Sequence, residues 1–213
     1  MECIYCGNKK LYKLSKSHYK CSHCRRKFSK KKQDRVLLLW EYFRNEASAS
    51  AVAKESGMHI ATVLKYYHCF RKEIAAISDS DYKRNTHLVT DYDEYLYLPK
   101  TLSAYKNPHH LRHFLTLAYS TRVYSLMMPT LPEYNITTDP EKQERLMLKY
   151  LQFNKVAKLS TSRGIIVEFW EYFEEFIARF RGVGSQQFAY YLKEAEWRFN
   201  GMPQIDPVQC LHH

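Results

Sequence analysis

Between Asp34 and Ile74 the apolar positions recur at helical spacing. Val36, Leu39, Trp40 and Phe43 fall at i, i+3, i+4 and i+7, one stripe on a helix that Asp34 can cap. Ser48 to Ser56 is short and rich in Ala and Ser, which suits a small second helix that a neighbour can approach closely, and Gly57 marks the turn after it. The next helix carries Ile60, Val63, Leu64, Tyr67, Phe70 and Ile74 on one face and leaves Thr62, Lys65, Tyr66, His68, Arg71 and Lys72 for the others. Cys69 on this helix reads as a small interior hydrophobe with no partner in sequence.

Residues 77–85 are polar and read as a linker. Beyond it the period changes. His87 to Leu98 alternates apolar and polar residues, and Phe114–Tyr119 with Arg122–Met127 flank Ser120-Thr121 as a hairpin. Asp139-Pro140-Glu141 has the form of a helix start, with Leu146, Met147, Tyr150, Leu151 and Phe153 following. A further helix carries Ile166, Phe169, Trp170, Phe173, Ile177 and Phe180 and ends at Gly182 and Gly184. Ser185 is placed to cap a last helix with Phe188, Tyr191, Leu192, Ala195 and Phe199. Strands followed by helices make this region α+β or α/β, and the chain as a whole α+β and multidomain.

Charge divides the chain differently. Of 33 Lys and Arg against 22 Asp and Glu, residues 1–33 hold 11 basic side chains and one acid, Glu2, while residues 76–213 hold 16 of each. A uniformly basic protein is excluded. With 45% hydrophobic residues the chain carries enough apolar surface for packed cores, and its longest aliphatic and aromatic run, Val36 to Trp40, is far short of the roughly 20 residues that span a bilayer. The expectation is a cytoplasmic protein without a secretory signal or a membrane partner, in which paired cysteines bind metal more often than they form disulfides.

The basic segment also contains Cys3-x-x-Cys6 and Cys21-x-x-Cys24, two pairs separated by 14 residues. Each CxxC turn aims two thiolates at one point, and a hairpin between them can close a tetrahedron, so the spacing predicts one structural zinc ion in a ribbon over residues 1–33. The other readings are two unrelated pairs or a single disulfide. His18 and His23 lie near enough to be substitute ligands. A closed four-thiolate site leaves no open position for catalysis. Lys9, Lys10, Lys13, Lys16, Lys20, Arg25, Arg26, Lys27, Lys30, Lys31 and Lys32 surround it as a phosphate-binding surface. Helix, small helix, glycine turn and a helix with polar and basic residues outward is the sequence form of a helix-turn-helix over residues 34–76, with a bundle packed on the rest of the chain as the alternative. Double-stranded DNA is the expected partner, bound as a homodimer or higher oligomer in the bacterial cytoplasm at the nucleoid. Structured RNA on the ribbon is a third reading.

Tyr191 to Asn200 (YLKEAEWRFN), preceded by Phe169-Trp170 and Phe180-Arg181-Gly182, resembles the C-terminal signature of zinc-ribbon insertion-sequence transposases of the DDE superfamily. The ribbon segment Tyr19 to Ser29, the helix-turn-helix and the Asp93-Glu94-Tyr95 strand stand in the same order in that family. The resemblance implies an RNase H-like domain over residues 86–202, followed by a tail at 203–213, in which carboxylates hold two magnesium ions for phosphodiester attack. It implies Asp93 as the first carboxylate, with Asp91 nearby, and Asp139 as the second, although Asp139 is also explained as an N-cap. Glu168 stands nearest the third position, displaced by one residue in Arg163-Gly164-Ile165-Ile166-Val167-Glu168, with Arg where relatives carry Asn. The expected function is therefore specific DNA binding by a protein of transposase descent with a weakened or lost catalytic site, magnesium being relevant only where that site works. The alternative is an active transposase that cuts and joins element ends. His109 and His113 are four apart, as two ligands on one helical face would be, but without a suitably spaced third partner they read as exposed loop residues.

Overall fold

A computed structural model describes residues 2–97, 112–128, 164–180 and 182–212. The chain divides into two compact units: residues 1–77 together with 204–213, and residues 78–203. Among the described residues no helix is long and apolar enough to cross a membrane.

The first unit begins with a three-stranded antiparallel sheet in the order β1 (Leu11–Lys13), β2 (His18–Cys21), β3 (Lys27–Ser29). Tyr19 faces Phe28 across the register and Leu11 faces Cys21. Strand and helix then meet without a linker. α1 runs Lys30–Arg44, and the Ser29 Oγ accepts from the Lys32 N–H. Asp34, expected as the cap, instead lies inside the helix and pairs with Lys30 at 2.6 Å. The reason is local: Ser29 is a strong N-cap residue at the end of an extended strand, and it wins the start of the helix.

α2 (Ala49–Ser56) is capped by the Ser48 Oγ and stopped by Gly57 at φ 68°, a left-handed conformation that suits glycine. α3 then runs Ile60–Asn85 without a break, through residues 77–85 where a linker was expected. Nothing in that stretch is Gly or Pro. The core of this unit joins Val36, Leu39, Trp40 and Phe43 of α1 to Val52, Val63, Tyr67, Phe70 and Ile74, with Trp40 and Phe70 ring centroids 5.1 Å apart. The Tyr67 hydroxyl donates to the Ala47 carbonyl at 3.0 Å.

Cys69 is not unpaired. It forms a disulfide with Cys210, 141 positions away, with Cα atoms 5.9 Å apart. The chain returns to this unit through a 3-10 turn, Pro207–His212, and the Lys32 Nζ donates to the Leu211 carbonyl at 2.7 Å. The tail therefore belongs to the core of the first unit, with Cys210 and Leu211 buried.

The second unit has a meander of β4 (Val89–Tyr97), β5 (Arg112–Tyr119) and β6 (Arg122–Met127), antiparallel in that order. The expected hairpin turns at Ser120-Thr121, Ser120 taking φ 55°. α4 (Ile165–Ala178) and α5 (Ser185–Phe199) cover one sheet face, α5 starting at Ser185 itself, with Gly184 in the cap position. Phe114, Ala118 and Val123 meet Phe169, Trp170, Phe173, Phe188 and Leu192 there. Tyr95 stacks on Trp170 with centroids 3.9 Å apart, and its hydroxyl donates to Glu174. On the other face Leu117, Tyr119 and Tyr124 pack with Tyr82, which stacks on Tyr124. The polar residues once read as linker have partners here, for Asp79 accepts from Tyr124 and Asp81 from Tyr119 and Arg122.

Among the described residues β6 is the edge strand, and α5 supplies side chains where a further strand would supply backbone. Asn200 both accepts from the Val123 N–H and donates to the Val123 carbonyl, each at 2.9 Å. Glu196 accepts from the Ser125 N–H, while Lys193 donates to the Ser125 carbonyl and to Glu196, all at 2.8 Å. Lys193, Glu196 and Asn200 occupy one face of the helix at i, i+3 and i+7. An unpaired edge is a template for unwanted pairing, and this one is closed. Burial pushes the Glu196 carboxyl above its usual range, opposed by Lys193 and the Ser125 N–H.

Truncating Glu196 to Ala strands a buried ammonium and an unpaired N–H. Glu196→Ala is therefore expected to destabilise the second unit by about 3–5 kcal/mol, with Glu196→Gln milder because it keeps an acceptor for Ser125. Amide exchange at β6 across a urea series measures both.

Candidate metal centre and cationic surface

The two CxxC segments fold into turns of the same form. Cys3 N–H donates to the Asn8 carbonyl at 2.9 Å, and Cys21 N–H donates to the Arg26 carbonyl at 3.0 Å, the same five-residue reach. The residue after each second cysteine is left-handed, Gly7 at φ 69° and Arg25 at φ 58°. Glycine adopts this conformation without steric cost. For Arg25 it costs on the order of 1 kcal/mol, and the turn imposes it. The Ser22 hydroxyl ties the second turn to the Lys10 carbonyl at 2.9 Å.

The turns bring four sulfurs to one point. Cys3 and Cys24 Sγ are 3.6 Å apart, as are Cys6 and Cys21, and all four lie within 4.8 Å of one another. A tetrahedral ion with metal–sulfur bonds of about 2.3 Å has sulfur–sulfur edges of about 3.8 Å, so the donor set fits such an ion. Neither His18 nor His23 joins it, and His18 Nδ1 instead meets the Ser15 Oγ at 3.1 Å.

Burial pushes the Cys3 thiol up to about 12. Cys21 is also desolvated, yet the Cys24 and His23 backbone N–H groups and the Cys6 and Cys3 side chains draw it down to about 6. The knuckle amides are thus arranged for a thiolate. Around the cysteines the core is thin: Phe28 is the other fully buried side chain, flanked by Tyr5 and Tyr19.

The surrounding cations sort by what they touch. Lys10, Lys13, Lys16, Arg25, Arg26, Lys27 and Lys31 are exposed, Arg26 lying over the Tyr5 ring, and Lys9 is exposed 3.8 Å from Glu2. Lys20 is half-buried. Lys30 pairs with Asp34, and Lys32 is committed to Leu211. On α3 two expectations change. Tyr66 and Arg71 are buried, the Arg71 guanidinium 5.6 Å from the Phe43 ring centroid, so neither is a surface reader. Ile60 and Leu64, expected inside, are exposed instead. The buried stripe is widened to include Tyr66, whose ring lies beside Phe70, and Phe70 in turn packs on Trp40 and Phe43 of α1. Lys65 and Lys72 are exposed, and Thr62 and His68 half-buried. Burial, then Lys72 and Arg71, lower the His68 pKa.

The carboxylates do not assemble among the described residues, where the four cysteines are the one group of three or more His, Cys, Asp or Glu able to hold a metal. Asp93 is half-buried on β4 opposite Thr116, its Oδ1 accepting from the Glu94 N–H at 2.8 Å. Glu168 is exposed in the first turn of α4. Asp139 and His109 lie outside the described residues. His113, read as an exposed loop residue, is instead half-buried on β5 and sits 2.9 Å from Glu94.

The class defined so far is an α+β protein with a four-cysteine, metal-compatible cluster at its N-terminal end. No family model, curated protein or solved structure matches the chain.

Cys21→Ser or Cys24→Ser should abolish stoichiometric metal binding and unfold residues 2–29, because a structural ion supplies roughly 10–16 kcal/mol in modules of this size. Metal analysis and amide exchange test this, and unchanged metal content in the variants refutes the cluster. Metal uptake should release protons, with affinity falling as pH falls.

Proposed function

We propose that this chain is a DNA-binding protein of transposase descent, related to the zinc-ribbon insertion-sequence transposases, that holds one structural zinc ion on Cys3, Cys6, Cys21 and Cys24. The observation that carries the reading is the four-thiolate cluster set in a surface of exposed Lys and Arg and followed directly by α1, α2, the Gly57 turn and α3. Zinc is the ion that an all-thiolate tetrahedral set favours in a structural role. The ribbon grips phosphates, and α1 to α3 act as a helix-turn-helix with α3 in the major groove. The second unit serves as the body through which copies assemble on DNA.

Catalysis is the weaker half of the descent. Asp93 lies on the first strand of a three-stranded antiparallel meander, as the first carboxylate of an RNase H-like sheet would, and this favours the second reading, an active magnesium-dependent transposase. Against it stand the exposure of Glu168 and the departure of Arg163 from the family pattern. A weakened or lost site fits these better.

Two measurements test the proposal. Duplex affinity should fall steeply with salt, and Lys10→Ala, Lys13→Ala and Lys27→Ala should each reduce the slope of log K against log salt by about 0.9, whereas Lys32→Ala should leave it unchanged. Binding without salt dependence contradicts the cationic surface. Incubation with element-end DNA and magnesium or manganese should give specific binding without strand cleavage; cleavage lost in Asp93→Ala would instead establish the transposase.

A further inference from the structure

The exposed face of α3 is unusual in composition. Ala61, Leu64, Lys65 and Lys72 stand on it at i, i+3, i+4 and i+11, with the half-buried His68 at i+7, opposite the buried Val63, Tyr67, Phe70 and Ile74. Leu64 is 48% exposed and Ile60, just before it, 43%. A single exposed leucine is ordinary and by itself says nothing. Here its setting selects the partner. Residues 56–72 contain no Asp or Glu, and the same face carries Lys65 and Lys72. That combination is complementary to a polyanion.

The residue types then limit what can be read. The side chains that make paired hydrogen bonds to bases are Arg or Lys with guanine and Asn or Gln with adenine. The face has no Asn or Gln, the single arginine of this stretch, Arg71, is buried, and Lys65 and Lys72 are left as the cations that meet phosphate or guanine. What Leu64, Ala61 and Ile60 can recognise in a major groove is the one apolar group there, the thymine 5-methyl. They stand in the first turns of α3, the end at which a recognition helix meets base edges.

We infer that α3 recognises duplex DNA through apolar contact of Leu64, with Ala61 and Ile60, to thymine methyl groups, while Lys65 and Lys72 hold the flanking phosphates. This rests on the DNA-binding reading above and adds the chemistry of its target.

The zinc-loaded full chain is used to select sites from a random duplex pool, and each thymidine of the selected site is then replaced by deoxyuridine, which removes only the methyl group. Affinity should fall about fourfold for each contacted methyl, the effect of exposing one buried carbon. Leu64→Ser should bind thymidine and deoxyuridine sites equally while keeping its zinc and its salt dependence. Equal binding of the two sites by the unaltered protein, with salt-dependent duplex binding intact, overturns this inference alone. So does a Leu64→Ser protein that still discriminates, or one that discriminates as before but loses a dimer seen by sedimentation, since the face would then be a protein contact. Failure to bind any duplex at any salt overturns the DNA-binding reading as well.

Discussion

Four thiolates held at one point are the constraint on which the basic end of the protein depends. The first 29 residues bury Cys3, Cys21 and Phe28, and no more apolar surface than a few half-buried neighbours adds to them. So small a core does not offset the chain entropy of about 1–2 kcal/mol for each ordered residue. Bringing the sulfurs together also gathers positive charge, since the turns that aim the cysteines carry Lys10, Arg25, Arg26 and Lys27 with them. A metal bound there orders the fold and the cationic surface in one step. The passage from β3 through Ser29 directly into α1 links that ordering to the first helix of the core.

The second unit meets a different constraint, the unpaired edge of its sheet. Lys193, Glu196 and Asn200 satisfy both polar groups of Val123 and of Ser125, and their spacing on α5 matches the two-residue repeat of outward-facing groups along β6. These three residues belong to the segment Tyr191 to Asn200 on which the resemblance to transposases chiefly rests. That segment therefore has a structural role independent of any chemistry. Its presence is silent on activity. The β6 edge needs these side chains whatever the rest of the unit does.

Much of this was legible in the sequence, and what was not has identifiable causes. The cysteine spacing, the α1 stripe, the hairpin about Ser120-Thr121 and the aromatic periodicity of α4 are local patterns, and each stands close to where its period puts it. The disulfide between Cys69 and Cys210 spans 141 positions, beyond the reach of any spacing rule. The continuation of α3 through residues 77–85 was hidden because its polar side chains, Asp79 and Asp81, look like linker until their partners Tyr119, Arg122 and Tyr124 are known. On α3 itself Val63, Tyr67, Phe70 and Ile74 are buried as the period predicts, while Ile60 and Leu64 are exposed and Tyr66 and Arg71 are buried instead. Tyr66 and Leu64 both suit an interior, and their spacing alone does not say which of them joins Phe70 in the core.

That exchange bears on function more than any other difference. With Arg71 and Tyr66 outward, α3 would carry an arginine for guanine and a hydroxyl for phosphate, a polar reading head like many others. With both inward, Arg71 stabilises the core by lying against Phe43, and the outer face is left to leucine, alanine and lysine. The net positive charge of the sequence lies in residues 1–33, while the exposed face of α3 holds few groups able to form base-specific hydrogen bonds. On the proposed DNA-binding reading, affinity and specificity would fall to separate elements: salt would act mainly on the cationic N-terminal module, and the shape and methylation of the groove on α3.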